Sequence, residues 1–127
     1  MKSPDGRRSV VKHDYIEFRM GGPLMGQINV DGGRAKTAKR DFGDAMAFSP
    51  DSRYLAIGEF VGETRDGGPN TRVVVFDLEL EKEYVVHEEY GGLIQEVSWS
   101  VHGDLSVVSW RHPHGETEHR DIWRAER

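Results

Sequence analysis

Apolar residues come along this chain in short bursts separated by polar, turn-forming segments. Ala45 to Phe48 is a brief apolar run, Tyr54 to Val61 is apolar at most positions, and Arg72 to Leu78 contains the unbroken run Val73-Val74-Val75-Phe76. Bursts of this length, rich in β-branched and aromatic residues, predict strands rather than helices. An uninterrupted β-branched run further predicts a central strand covered on both faces. Glu83 to His87 alternates less cleanly and is expected as an outer strand. Between the bursts, Ser49-Pro50-Asp51-Ser52 offers Pro at the second turn position, with Asp and Ser oxygens able to bond nearby backbone amides. Gly62 to Thr71, with Asp66-Gly67-Gly68-Pro69-Asn70, reads as a loop. No segment sustains helical periodicity, and Gly33 to Ala47 is the only stretch where a short helix competes with strand.

The same order of signals recurs 46 residues apart. Ser3-Pro4-Asp5 returns as Ser49-Pro50-Asp51, Arg7 as Arg53, Gly21-Gly22-Pro23 as Gly67-Gly68-Pro69 and Asp31 as Asp77, while Val11, Ile28 and Val30 fall on Ile57, Val74 and Phe76. A third, degraded copy begins around Ser100, with Ile122-Trp123 where Ile28 and Val74 stood. The repeat places further strands at Ser9 to Phe18, Gln27 to Val30 and Arg34 to Arg40 in the first unit, and at Gln95 to Ser100, Leu105 to Trp110 and Arg120 to Ala125 in the third. The chain is thus expected to be one repeat domain over 1–127, with units of about 1–43, 44–90 and 91–127. Four antiparallel strands in about 46 residues is the period of a β-propeller blade.

Ala47-Phe48-Ser49-Pro50-Asp51-Ser52-Arg53-Tyr54-Leu55-Ala56, followed by Val73-Val74-Val75-Phe76-Asp77-Leu78, resembles the WD40-like repeat of TolB-type β-propellers. The resemblance implies an all-β fold of four-stranded blades, and such propellers serve as scaffolds, binding platforms and peptidase lids. The third copy departs from it, with Val101-His102 in place of Pro-Asp, and the Gly-His and Trp-Asp signatures of the WD40 family proper are absent. About ten strands in three incomplete repeats fall short of a ring, since propellers have roughly four to eight blades. Closure by head-to-tail oligomerisation is expected, a dimer giving six blades being favoured, because closure removes exposed strand edges; the alternatives are an open, twisted stack of sheets with capped ends and a fragment of a longer parent.

Composition narrows the partners. A length of 127 residues suits one domain. The net charge of −5 disfavours a general nucleic-acid or anionic-membrane binder. With no cysteine there is neither a disulfide framework nor a thiolate site. An N-terminus that runs straight into a turn carries no signal-peptide pattern, so a cytoplasmic location without a membrane span is expected. Charge is also unevenly placed. Arg34, Lys36, Lys39 and Arg40 make the expected outer strand of the first unit basic, whereas Glu79, Glu81, Glu83, Glu88 and Glu89 make that region of the second acidic. Charged outer strands block edge-to-edge pairing; either strip would alternatively suit a partner surface.

Candidate chemistry is sparse. His112, His114 and His119, with Glu116 and Glu118, are competent metal-ligand types, but Pro113 and Gly115 place them in a loop with no fixed spacing, so no metal, cofactor or catalytic residue is assigned. Nothing resembles a nucleophile elbow or a phosphate-cradling loop. Trp99, Trp110 and Trp123 all fall in the third unit with Ile122. They either fill a layer between units or form an apolar interface patch. The expected function is therefore a non-enzymatic, propeller-like interaction module that self-assembles or binds a protein partner through Trp99, Trp110, Ile122 and Trp123. The alternatives are a small immunity- or antitoxin-like inhibitor and a metal-dependent hydrolase or lyase whose site forms on assembly.

Overall fold

The computed structural model describes residues 1–17, 24–31, 36–111 and 116–125. Among these the only regular elements are nine antiparallel strands: β1 (Ser9–Glu17), β2 (Leu24–Asp31), β3 (Asp41–Phe48), β4 (Tyr54–Glu63), β5 (Pro69–Asp77), β6 (Lys82–Glu89), β7 (Gly92–Trp99), β8 (Asp104–Arg111) and β9 (Glu116–Arg124). Strands β1 to β6 follow one another in a six-stranded sheet, and β7 to β9 form a second. The ladder between β2 and β3 is a single pair, Gly26 with Phe42, so the β1–β2 hairpin folds over as a layer of its own.

The β4–β5 hairpin lies in the middle of the molecule. Successive strand side chains point to opposite faces, and here both faces are used. Leu55, Ile57, Val74 and Phe76 pack against Val10 and Ile28 of the first hairpin. Tyr54, Ala56, Val73 and Val75 pack against Ile94, Val97, Leu105 and Val107 of β7 and β8. The unbroken run Val73 to Phe76 is what a doubly covered strand requires. At Gly58 the sheet of β7–β9 comes close, because a Cβ there would lie 3.1 Å from Ile94 Cβ.

A turn centred on a serine is built three times with corresponding hydrogen bonds, before β1, β4 and β8. Ser3 N–H donates to Arg8 O and Ser49 N–H to Tyr54 O, both at 2.8 Å. The serine hydroxyls donate to Asp5 and Asp51, at 2.7 and 2.6 Å, and accept from the amides of Arg8 and Tyr54. In the third layer the loop is one residue shorter: Ser100 N–H donates to Asp104 O, and the Asp104 amide donates to Ser100 Oγ. Gly6, Ser52 and Gly103 occupy the left-handed position of this turn, at φ of 72°, 64° and 86°. Adjacent turns also interlock, since the Asp5 amide donates to Ser52 Oγ. A salt bridge closes two layers at the same place with its charges exchanged: Arg53 before β4 pairs with Asp77 at the end of β5, and Asp104 on β8 pairs with Arg124 on β9.

The nine described strands are in keeping with the about ten expected, and two other expectations need correction. In the basic segment expected as an outer strand, Arg34 lies outside the described residues, and residues 36–40 form a turn rather than a strand, in which Thr37 Oγ1 donates to Ile28 O at 2.7 Å. The loop from Gly62 to Thr71 shrinks to residues 64–68, because Glu63 and Pro69 still pair across β4 and β5. The Gly21-Gly22-Pro23 turn lies outside the described residues.

The repeat is also broken in one register. In the middle layer Ile57 lies opposite Val74 and Leu55 opposite Phe76. The 46-residue offset would place Val11 opposite Ile28, but Val11 faces Asn29, Val10 faces Val30 and Lys12 faces Ile28. A one-residue slip turns a strand's side chains over, and here it turns Ile28 and Val30 onto the middle layer. Without it both would point away from the middle layer, forgoing roughly 1.5–3 kcal/mol for fully buried Ile28 and less for half-buried Val30. Val11 stays on the outer face, 59% exposed.

Candidate interaction surfaces

The third layer meets the middle one through aromatic rings. Trp99, at the end of β7, donates its indole N–H to Ala47 O at 3.0 Å and stacks on Tyr54 with ring centroids 6.1 Å apart. Trp123 on β9 meets Tyr54 edge to face at 5.3 Å and Trp99 edge to face at 5.9 Å, and stacks on Tyr84 of β6. Edge-to-face and offset pairs of this kind contribute about 0.5–1.5 kcal/mol each beyond area burial. Ile122 packs against the same core. Trp110 stands apart at the other end of the layer, between Leu93 and Thr117 in the ladder. The structure therefore brings together three of the four expected interface residues, Trp99, Ile122 and Trp123, all packed against the core.

A half-open groove of about 400 Å³ runs along this cluster, lined by Arg53, Tyr54, Asp77, Leu80, Tyr84, Trp123 and Arg124. The Arg53 guanidinium sits 5.1 Å from the Tyr54 ring centroid and holds Asp77 through two hydrogen bonds, at 3.2 and 2.9 Å. Burial pushes the Asp77 carboxyl up, but Arg53 and the amides of Leu80 and Glu79 outweigh it and hold the group below the usual carboxylate range. Burial raises the Tyr54 phenol, so it stays neutral at physiological pH. Tyr54 and Tyr84 were not singled out from the sequence. Tyr54 shares a face with Ala56, so the strand alternation held the signal; Tyr84 has its role only because β9 ends beside it.

No family model, curated protein or solved structure matches the chain.

The charged strips are not two free surfaces. Arg40 reaches inward, binding both carboxylate oxygens of buried Glu59 at 2.8 and 2.9 Å and Glu83 at 2.8 Å. Arg72 adds a third bond to Glu59 at 2.8 Å. Burial raises the Glu59 carboxyl, yet the two arginines more than offset this and hold it low. One residue of the basic strip is thus tied to one of the acidic strip, and together they clamp β4, β5 and β6 to the turn before β3. Glu89 is buried as well: its Oε1 receives Ser109 Oγ at 3.0 Å and lies 2.7 Å from His87 Nε2. Serine and histidine both address the carboxylate rather than each other, an arrangement that fastens β6 to β8 and does not activate a nucleophile.

His112 and His114 lie outside the described residues, as does the side chain of His119, whose backbone pairs with Val108. Among the described residues no three His, Asp or Glu side chains are grouped to hold a metal ion, and no helix is long and apolar enough to cross a membrane.

Proposed function

We propose that this chain is a non-enzymatic, propeller-like interaction module that associates with itself or with a protein partner, acting in the cytoplasm. One observation carries the reading. The middle layer is covered on both faces by layers of the same chain, whereas the outer faces of the first and third have no described layer against them. A repeat architecture buries each unit's faces against its neighbours, so terminal units must be capped or completed. The thrice-built Ser turn and the doubly covered middle hairpin support the likeness to blades of TolB-type propellers. The polar groups of the interior support a structural rather than catalytic use, because Glu59, Asp77 and Glu89 are spent on arginines, hydroxyls and amides of the same chain.

Size-exclusion chromatography with light scattering, run across the micromolar range alongside an apolar dye, tests the reading. Self-association that rises with concentration, or dye binding to an uncovered face, is expected. A monodisperse monomer that binds no dye would overturn it.

A further inference from the structure

The middle and third layers are built alike up to their last strand. Both open on one strand, β3 or β7, pass through a serine turn into β4 or β8, and return along β5 or β9. The middle layer then turns back once more and lays β6 along the outer edge of β5. Among the described residues no strand does the same for β9, which pairs with β8 alone. The outer edge of β9 therefore presents a row of backbone groups of the kind that templates a further strand.

The surroundings of that edge are shaped to receive one. Where β9 ends, Leu80 of the β5–β6 turn and Tyr84 of β6 stand beside Trp123, and all three line the half-open groove of about 400 Å³. That size falls within the roughly 300–1,000 Å³ of ordinary ligand sites. Leu80 is 55% exposed, so an apolar wall of the groove faces water. Charge marks the same end. The amide that bonds the turn serine belongs to Tyr54 in the middle layer and to Asp104 in the third. Their partners across the ladder are Asp77 and Arg124, so Arg124 holds on β9 the position that Asp77 holds on β5. Asp77 faces Lys82, the first residue of β6. With the sign exchanged at Arg124, the matching first residue of a strand on β9 is an acid.

Resting on the reading of the chain as an interaction module, we infer that the outer edge of β9 takes an extended segment of a protein partner as a fourth strand. The segment runs antiparallel to β9 and opens on an aspartate or glutamate opposite Arg124. An apolar side chain follows and enters the groove between Leu80, Tyr84 and Trp123. Main-chain hydrogen bonds along the edge supply affinity, while the groove and Arg124 supply selectivity. The occupant is a single strand because the chain's own precedent is one: β6 lies on β5 with no described strand on its far side.

Two acetylated and amidated heptapeptides, Asp-Val-Thr-Val-Thr-Val-Ser and Lys-Val-Thr-Val-Thr-Val-Ser, titrated against the full chain test this. Tryptophan fluorescence is the readout, because Trp123 lines the groove. The acid-first peptide is expected to bind roughly threefold more tightly than the other. In Arg124→Glu the preference should reverse, a result that no loss of fold imitates. Leu80→Asp should weaken both peptides roughly tenfold, and Val11→Glu on the first layer should leave both unchanged. Backbone hydrogen exchange should slow in β9 when the acid-first peptide is added and stay the same in β1, the edge strand of the larger sheet. Equal binding of the two peptides with no reversal in Arg124→Glu, or no protection of β9, would overturn the strand-acceptor assignment. Protection of β9 that grows with protein concentration in the absence of peptide would do the same, by giving the edge to a second copy. In each case self-association or dye binding by the chain leaves the module reading standing. A monodisperse monomer that takes up neither peptide nor dye would overturn both.

Discussion

At the scale of single residues, the turn serines show how much one side chain settles. Ser49 is 2% exposed; its hydroxyl donates to Asp51 and accepts from the buried amide of Tyr54. Ser49→Ala leaves that amide unpaired, which costs about 1–3 kcal/mol. Ser100→Ala removes the corresponding bonds in an exposed turn, where water replaces them, and should cost less than about 1 kcal/mol. Urea denaturation with an unchanged slope distinguishes the two; equal losses would show that the turns do not differ as their burial implies. This turn was legible in the sequence because its bonds run between residues at most five apart. The partners of Trp123 were not, because Tyr54 and Tyr84 meet it only after two sheets have docked.

At the scale of elements, the β4–β5 hairpin was legible and its surroundings were less so. A continuous apolar run has a single economical arrangement in a strand, burial on both sides, and the structure adopts it. Glu59 interrupts that pattern on β4 and would read as a solvent-facing position. It is buried beneath Arg40 and Arg72. Glu59→Gln keeps the shape but leaves both guanidiniums without their shared countercharge. The expected loss is roughly 2–4 kcal/mol, at the low end for a broken buried pair because both arginines retain some solvent access. Thermal melts of this variant beside Arg40→Gln check the assignment, and a neutral Glu59→Gln would show the clamp contributes nothing. The misreading of Arg34 to Arg40 has the same root. Spaced cations resemble a charged edge strand, but Arg40 and Thr37 found partners on distant strands and hold residues 36–40 in a turn.

At the scale of the whole molecule, acid should unfold the chain through a few carboxylates. Glu59 and Asp77 are held below the usual range despite burial, by their arginines. Exposed Asp5, with the Arg7 amide first among its partners, and exposed Asp104, bonded to Arg124, are also lowered. A carboxylate with a depressed native pKa adds stability that is complete above the unfolded value, near 4, and disappears as pH falls through the native one. The melting temperature should therefore be level from neutral pH to about 5 and fall below about 4. In Glu59→Gln/Asp77→Asn the acid limb should flatten; an unchanged limb would place the acid sensitivity elsewhere. By itself the sequence determined the strand class, the repeat, the Ser-Pro-Asp turn and the doubly covered hairpin, because each depends on neighbouring residues and on a period of two. Only the tertiary structure decided which way β2 faces, where Arg40 goes and which tryptophans meet. Those depend on what lies across the far side of a strand: with no described sheet beyond the first layer, burial of Ile28 and Val30 outweighed fidelity to the repeat.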